Sequence, residues 1–129
     1  MTVDLSKYEV VGFIDDDLSK LTNCPYKGQI YAAPGVLKHI KKRHSSELSE
    51  NILLNIIDII KSIIKTPEYI GTHPKKIGSS IEFVKKVDEN ILVATELDIK
   101  DNYFYVASMY PINQSKIDNR VHSGRFKKL

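Results

Sequence analysis

The spacing of apolar and polar positions changes along this chain, and each change marks an element. Lys7 to Ile14 is rich in β formers and predicts a first strand, ended by Asp15-Asp16-Asp17. Gly28 to Ala33 predicts a second, short strand. From Pro34 to His44 the period turns helical. Val36, Leu37 and Ile40 form a short apolar stripe, and Pro34 suits a helix start because its φ is fixed and it lacks an N–H. A second helix is predicted from a Ser45 or Ser46 cap to about Lys65, before Thr66-Pro67. Its Leu48, Ile52, Ile56, Ile59, Ile60, Ile63 and Ile64 share one broad face. At that length the helix spans about 28 Å, enough to cross a sheet.

Tyr69 to Pro74 reads as a turn-rich connection, with His73 as a loop residue before proline. Three strands follow: Ser80 to Val87, Ile91 to Leu97 and Tyr103 to Tyr110. Asp88-Glu89-Asn90 and Asp101-Asn102 are the turns, and these short spacings predict an antiparallel meander. In the first of the three, Ile81, Phe83 and Val87 take one face and Glu82, Val84 and Lys86 the other, with Lys85 interrupting the pattern. Lys116 to Lys128 is basic and predicts a final edge strand. The order of elements is that of an α+β protein: two helices from the N-terminal half packed on one face of a curved antiparallel sheet. At 129 residues the chain suits one domain, residues 1–129, with its core over about 28–126.

Composition adds little to this picture, and charge adds more. With 42% hydrophobic and 27% charged residues the chain is an ordinary globular protein rather than a disordered one. Residues 1–20 carry Lys7 and Lys20 against Asp4, Glu9, Asp15, Asp16 and Asp17, a net of −3. Residues 115–129 carry Lys116, Arg120, Arg125, Lys127 and Lys128 against Asp118, a net of +4. With the basic helix, that polarity suits a polyanion bound at one face. Cys24 is the only cysteine, which excludes an internal disulfide and fits a reducing compartment. No signal peptide is evident, and Ile52 to Ile64 is too short and too polar to span a bilayer, so a cytoplasmic location is expected.

Candidate chemistry gathers on the first helix. Pro34 to His44 holds Lys38, His39, Lys41, Lys42, Arg43 and His44 and no acid. His44 lies four residues from Ile40 and seven from Leu37, so it faces the body of the protein; His39 sits near the stripe's edge. A half-buried structural histidine on a solvated basic helix accounts for the same pattern, so the rest of the chain has to decide. The second face of the meander presents Glu82 and Lys86 from one strand, and Ser108 and Tyr110 from another. RNA cleavage without a metal needs a base for the 2′-OH, an acid for the leaving 5′ oxygen, and cations or donors for the phosphorane charge. His39, His44, Glu82, Arg120, His122 and Arg125, with the hydroxyls of Ser108, Tyr110 and Ser123, supply those types. Other chemistries fare worse. There is no Walker loop, GxGxxG or GxSxG, and no zinc spacing, since His39 and His44 are five residues apart. Asp15 to Asp17 lack the spacing of a calcium loop and read as a turn or helix cap. No metal or cofactor is expected.

Five stretches carry a resemblance: Tyr31 to His44, Pro67 to Pro74, Ile81 to Ala94, Tyr103 to Tyr110, and Asn119 to Arg125. Together they cover most of the chain after Gly28, and the chain resembles the nuclease-type domains of the barnase–EndoU–colicin–RelE superfamily of phage and mobile-element proteins. The resemblance implies N-terminal helices against a curved antiparallel sheet and a metal-independent ribonuclease activity, often that of a toxin. It implies His44 first and His39 second for acid–base work, Glu82 as a possible base, Arg120 and Arg125 on phosphate, and Ser123 orienting it. Arg43, Lys86, Ser108 and Tyr110 complete the expected RNA-binding set. The expected partners are RNA (tRNA, mRNA or ribosome-bound) and an antitoxin or immunity protein, with no membrane. The alternatives are a catalytically silent RNA- or protein-binding module on the same fold, and a structural subunit.

Overall fold

A computed structural model describes residues 4–129, so residues 1–3 of the expected domain lie outside the described residues. Among the described residues seven strands and five α-helices follow in the order β1 (Glu9–Ile14), α1 (Asp16–Thr22), β2 (Gly28–Ala32), α2 (Pro34–His44), α3 (Glu50–Leu54), α4 (Ile56–Lys65), β3 (Tyr69–Gly71), β4 (Ser80–Val87), β5 (Glu89–Asp98), β6 (Tyr103–Pro111), α5 (Gln114–His122) and β7 (Phe126–Lys128). They form one sheet in the order β1-β2-β6-β5-β4-β3-β7. The architecture is α+β, as expected. The sheet is mostly antiparallel, but β2 runs parallel to β6 through Ile30↔Phe104 and Tyr31↔Tyr105.

α2 starts and stops where the sequence predicts, with Pro34 in its first turn. The long second helix does not form. It is two helices, broken at Asn55 (φ −131°, ψ 33°). Asn55 turns its amide back onto the carbonyl and side chain of Asn51, a local bond that competes with continuation of the helix. The cap is Ser49, whose Oγ accepts from the Ile52 N–H, rather than Ser45 or Ser46. α4 alone is therefore about 15 Å long. Three further elements depart from the sequence reading. Asp16–Thr22 is a helix capped by Asp15, which settles the aspartate run as a cap. Tyr69–Gly71 is a strand, not only a turn. Gln114–His122 is a helix, so the final edge strand is only Phe126–Lys128.

Two cores lie on opposite faces of the sheet. The larger joins Val36, Ile40, Ile52, Ile56, Ile60 and Ile63 of the helices to Ile30, Ile81, Phe83, Val93, Phe104 and Met109 of the strands. It also takes in Val11 and Ile14 of β1. The smaller packs Ile117 of α5 with Ile112 and Phe126 onto Val84 and Leu92. Because α5 covers only part of that second face, the rest is left open as a cleft. Among the described residues no helix is long and apolar enough to cross a membrane.

Candidate active site

The alternation of β4 sends Glu82 to the open face, where it is only 4% exposed. A carboxylate this buried needs a cationic partner, and the chain supplies one 43 positions away. After α5 the backbone turns at Gly124 (φ +86°), a left-handed conformation that favours glycine, and swings Arg125 back over β4. Arg125 grips Glu82 as a fork, with Nε–H and Nη2–H donating to the two carboxylate oxygens at 2.9 and 2.8 Å. The fork uses two of the five guanidinium N–H donors and leaves three for another anion.

Beside the fork lies Tyr110 of β6. Burial pushes its phenol above the ordinary tyrosine range, with Glu82 adding to the rise and the nearby guanidiniums of Arg120 and Arg125 partly offsetting it. At neutral pH Tyr110 is therefore an un-ionised donor. Arg120 stands over the Phe126 ring, 5.3 Å from its centroid. Its Nη1 is buried without a hydrogen-bond partner. A buried charged donor left unpaired is unfavourable, and an arriving anion would satisfy it.

His44, on the last residue of α2, meets the other side of Tyr110. The two rings are tilted by 35° with centroids 5.6 Å apart. His44 is half-buried, and its Nδ1–H donates to Glu47 Oε1 at 3.1 Å. That carboxylate fixes the tautomer and leaves Nε2 as the basic nitrogen. Glu47 lies in the turn after α2, three residues from His44.

Ser108 lies in the same cleft as Glu82 and Tyr110. A bulge in the β5–β6 pairing between Ala94 and Thr95 brings Ala107 to that lining as well. His73, read from sequence as a loop residue, also lines the cleft, held by Lys75 N–H donating to its Nδ1 and by its own N–H donating to Ser80 Oγ. The remaining expected residues lie elsewhere. His39 and Arg43 are exposed on α2. Lys86 shares a face with Glu82 but lies four residues on, about 13 Å along the strand, in a separate groove with Glu47 and Lys116. Ser123 caps α5, with its hydroxyl donating to the Arg120 carbonyl and accepting from Arg125 N–H. It thus braces the turn between the two arginines. His122 is exposed. Among the described residues no three His, Cys, Asp or Glu side chains gather as a metal cluster.

Tyr110, which lines the cleft, thus has the oriented imidazole of His44 against its ring and the guanidiniums of Arg120 and Arg125 nearby, a set suited to a phosphodiester. No curated protein and no solved structure matches the chain. A family model does, over residues 8–119, a span that holds His44, Glu47, His73, Glu82, Ser108 and Tyr110 and ends one residue before Arg120. The chain belongs to the phage-Barnase-EndoU-ColicinE5/D-RelE like nuclease3 family.

Proposed function

We propose that the chain is a metal-independent endoribonuclease that cleaves by attack of the 2′-OH on the adjacent phosphate. The observation that carries this reading is the unpaired, buried Nη1 of Arg120 beside the un-ionised Tyr110 and the oriented His44. His44 Nε2 takes the 2′-OH proton, and Glu47 stabilises the imidazolium that forms. The 2′ oxygen bonds to phosphorus while the bond to the 5′ oxygen breaks. Arg120 and Arg125 hold the charge that develops on the non-bridging oxygens. The Tyr110 O–H protonates the departing 5′ oxygen and is restored from solvent. The products are a 2′,3′-cyclic phosphate and a 5′-hydroxyl. Glu82, with both oxygens engaged by Arg125, acts as a positioning residue rather than as a base. His39 takes no part.

The test is to incubate the protein with mixed cellular RNA in EDTA beside His44→Ala. Fragments ending in 2′,3′-cyclic phosphate, reduced about 10²–10⁴-fold in the variant, are the expected result. Equal cleavage by both proteins would remove His44 from the mechanism. RNA that binds but stays intact would support the silent-module reading instead.

A further inference from the structure

His73 lines the same cleft as Glu82, Ser108 and Tyr110, and the chemistry assigned to His44 and Tyr110 does not use it. Its two ring nitrogens are not equivalent. A backbone N–H can only donate, so the bond from Lys75 N–H at 3.1 Å makes Nδ1 an acceptor. The proton of the neutral imidazole is then on Nε2. His44 is the reverse: its Nδ1 faces the Glu47 carboxylate, which accepts, and its Nε2 is left to take a proton. One imidazole is arranged to accept and the other to donate.

The loop that carries His73 is tied from beneath. Ser80 is 2% exposed, and its Oγ accepts from the His73 N–H at 3.0 Å and donates to the Lys76 carbonyl at 3.1 Å. Thr72 Oγ1 donates to the Ser80 carbonyl at 2.9 Å, and Lys76 N–H donates to the His73 carbonyl at 2.8 Å. The backbone on both sides of the ring is thus fixed before any ligand arrives, as a donor aimed at a developing charge requires. The cleft has a volume of about 310 Å³, at the small end for ligand sites, so a phosphate beside Tyr110 is near the His73 wall as well. The charged groups on that side are already engaged, Lys76 with Glu96 at 2.8 Å and Glu82 with Arg125.

Resting on the ribonuclease reading, we propose that His73 is a further catalytic residue, whose Nε2–H donates to a non-bridging oxygen of the scissile phosphate and keeps its proton throughout. A fixed, neutral imidazole N–H can polarise an oxygen that gains charge without carrying charge itself. His73 adds this donor from the β3–β4 loop to those of Arg120 and Arg125. A purely structural role uses the other nitrogen. Nδ1 accepting from the N–H two residues on closes the same ring as an asparagine side chain in an Asx turn.

Substitution separates the two roles. His73→Asn keeps an acceptor for Lys75 N–H and removes the Nε2 donor; His73→Gln places an amide N–H near the Nε2 position. The experiment is steady-state cleavage, in EDTA, of a short RNA by the full chain, by these two variants and by His73→Ala. It is repeated with each diastereomer of a phosphorothioate at the cleaved linkage, and thermal denaturation confirms that every variant is folded. The expected result is a fall of about 10²-fold in kcat for His73→Asn and His73→Ala, with KM nearly unchanged, and recovery of at least about tenfold in His73→Gln. Sulfur in one diastereomer should slow the wild type more than His73→Asn. The assignment is overturned by a His73→Asn variant that cleaves like wild type, by a His73→Gln variant no faster than His73→Asn, or by sulfur effects identical in wild type and His73→Asn. All three outcomes leave the ribonuclease reading standing. A wild-type chain that cleaves no RNA removes that reading, and the role of His73 with it.

Discussion

Replacing Arg125 with alanine strips Glu82 of its only ionic partner among the described residues, in a place water barely reaches. The Glu82 side chain is 5% exposed, and that of Arg125 18%. Removing one member of a buried pair costs about 3–5 kcal/mol, because the remaining charge is uncompensated. The partial exposure of Arg125 puts the expected loss near the lower end. In a chain of this size that corresponds to a fall of roughly 10–15 °C in Tm. Glu82→Gln alone keeps a shape of similar size, and its cost is smaller, about 1–2 kcal/mol, because the freed guanidinium can turn toward solvent. The double variant is informative. Removing the negative charge from an already unpaired site should recover about 2 kcal/mol relative to Arg125→Ala alone. Thermal and urea denaturation of the four proteins closes a double-mutant cycle, and a coupling of about 2 kcal/mol or more is expected. Single losses that add within about 0.5 kcal/mol would refute the claim that the fork is what keeps a buried carboxylate in place.

Other tests reach different parts of the structure. Cleavage should hold on the alkaline side through the ordinary tyrosine range, because burial raises the Tyr110 phenol and keeps it protonated; Tyr110→Phe should cut the rate about 10²-fold or more, and an alkaline falling limb that is the same in Tyr110→Phe would count against the phenol. Asn113 Oδ1 caps α5 by accepting from Lys116 N–H at 2.8 Å, so Asn113→Ala should cost about 1 kcal/mol in urea denaturation and lower cleavage by loosening Arg120, while Asn113→Ser restores both. Burial, with Tyr8 next, pushes Tyr103 up to about 12. The fold therefore favours the neutral phenol, and stability present below pH 10 should be lost as pH rises from 10 towards 12; Tyr103→Phe should flatten that decline in urea midpoints measured across the range.

Local signals made some elements legible in the sequence and left others hidden. α2 is bounded by a proline at one end and by the loss of its apolar stripe at the other, so its limits can be read from residue types. The meander announces itself because each turn is polar and each strand alternates, which placed Glu82, Ser108 and Tyr110 on the open face. α5 escaped notice because Ile117 is its only buried residue in a polar, basic run; the cap residue Asn113 was the readable sign. β3 has three residues, too few for a period to emerge. The break at Asn55 interrupts an isoleucine pattern that continues in phase through it. The pairing of Glu82 with Arg125 and the parallel contact of β2 with β6 join positions far apart in the chain, and no local pattern encodes such partners. The half-buried position of His44 at the end of α2 was readable because the limits of α2 were. Its carboxylate, Glu47, depended on a turn conformation that sequence spacing alone left open.

The strand that follows Arg125 also forms an edge of the sheet. β7 is three residues long and is held through β3, itself only three residues long. Short edge pairs open locally at less than the cost of global unfolding. The turn that carries Arg125 over Glu82 is therefore moored to the part of the sheet that gives way first. Whatever keeps Phe126–Lys128 against Tyr69–Gly71 also keeps the buried carboxylate paired, so fraying at one margin is felt as a loose charge in the middle of the open face.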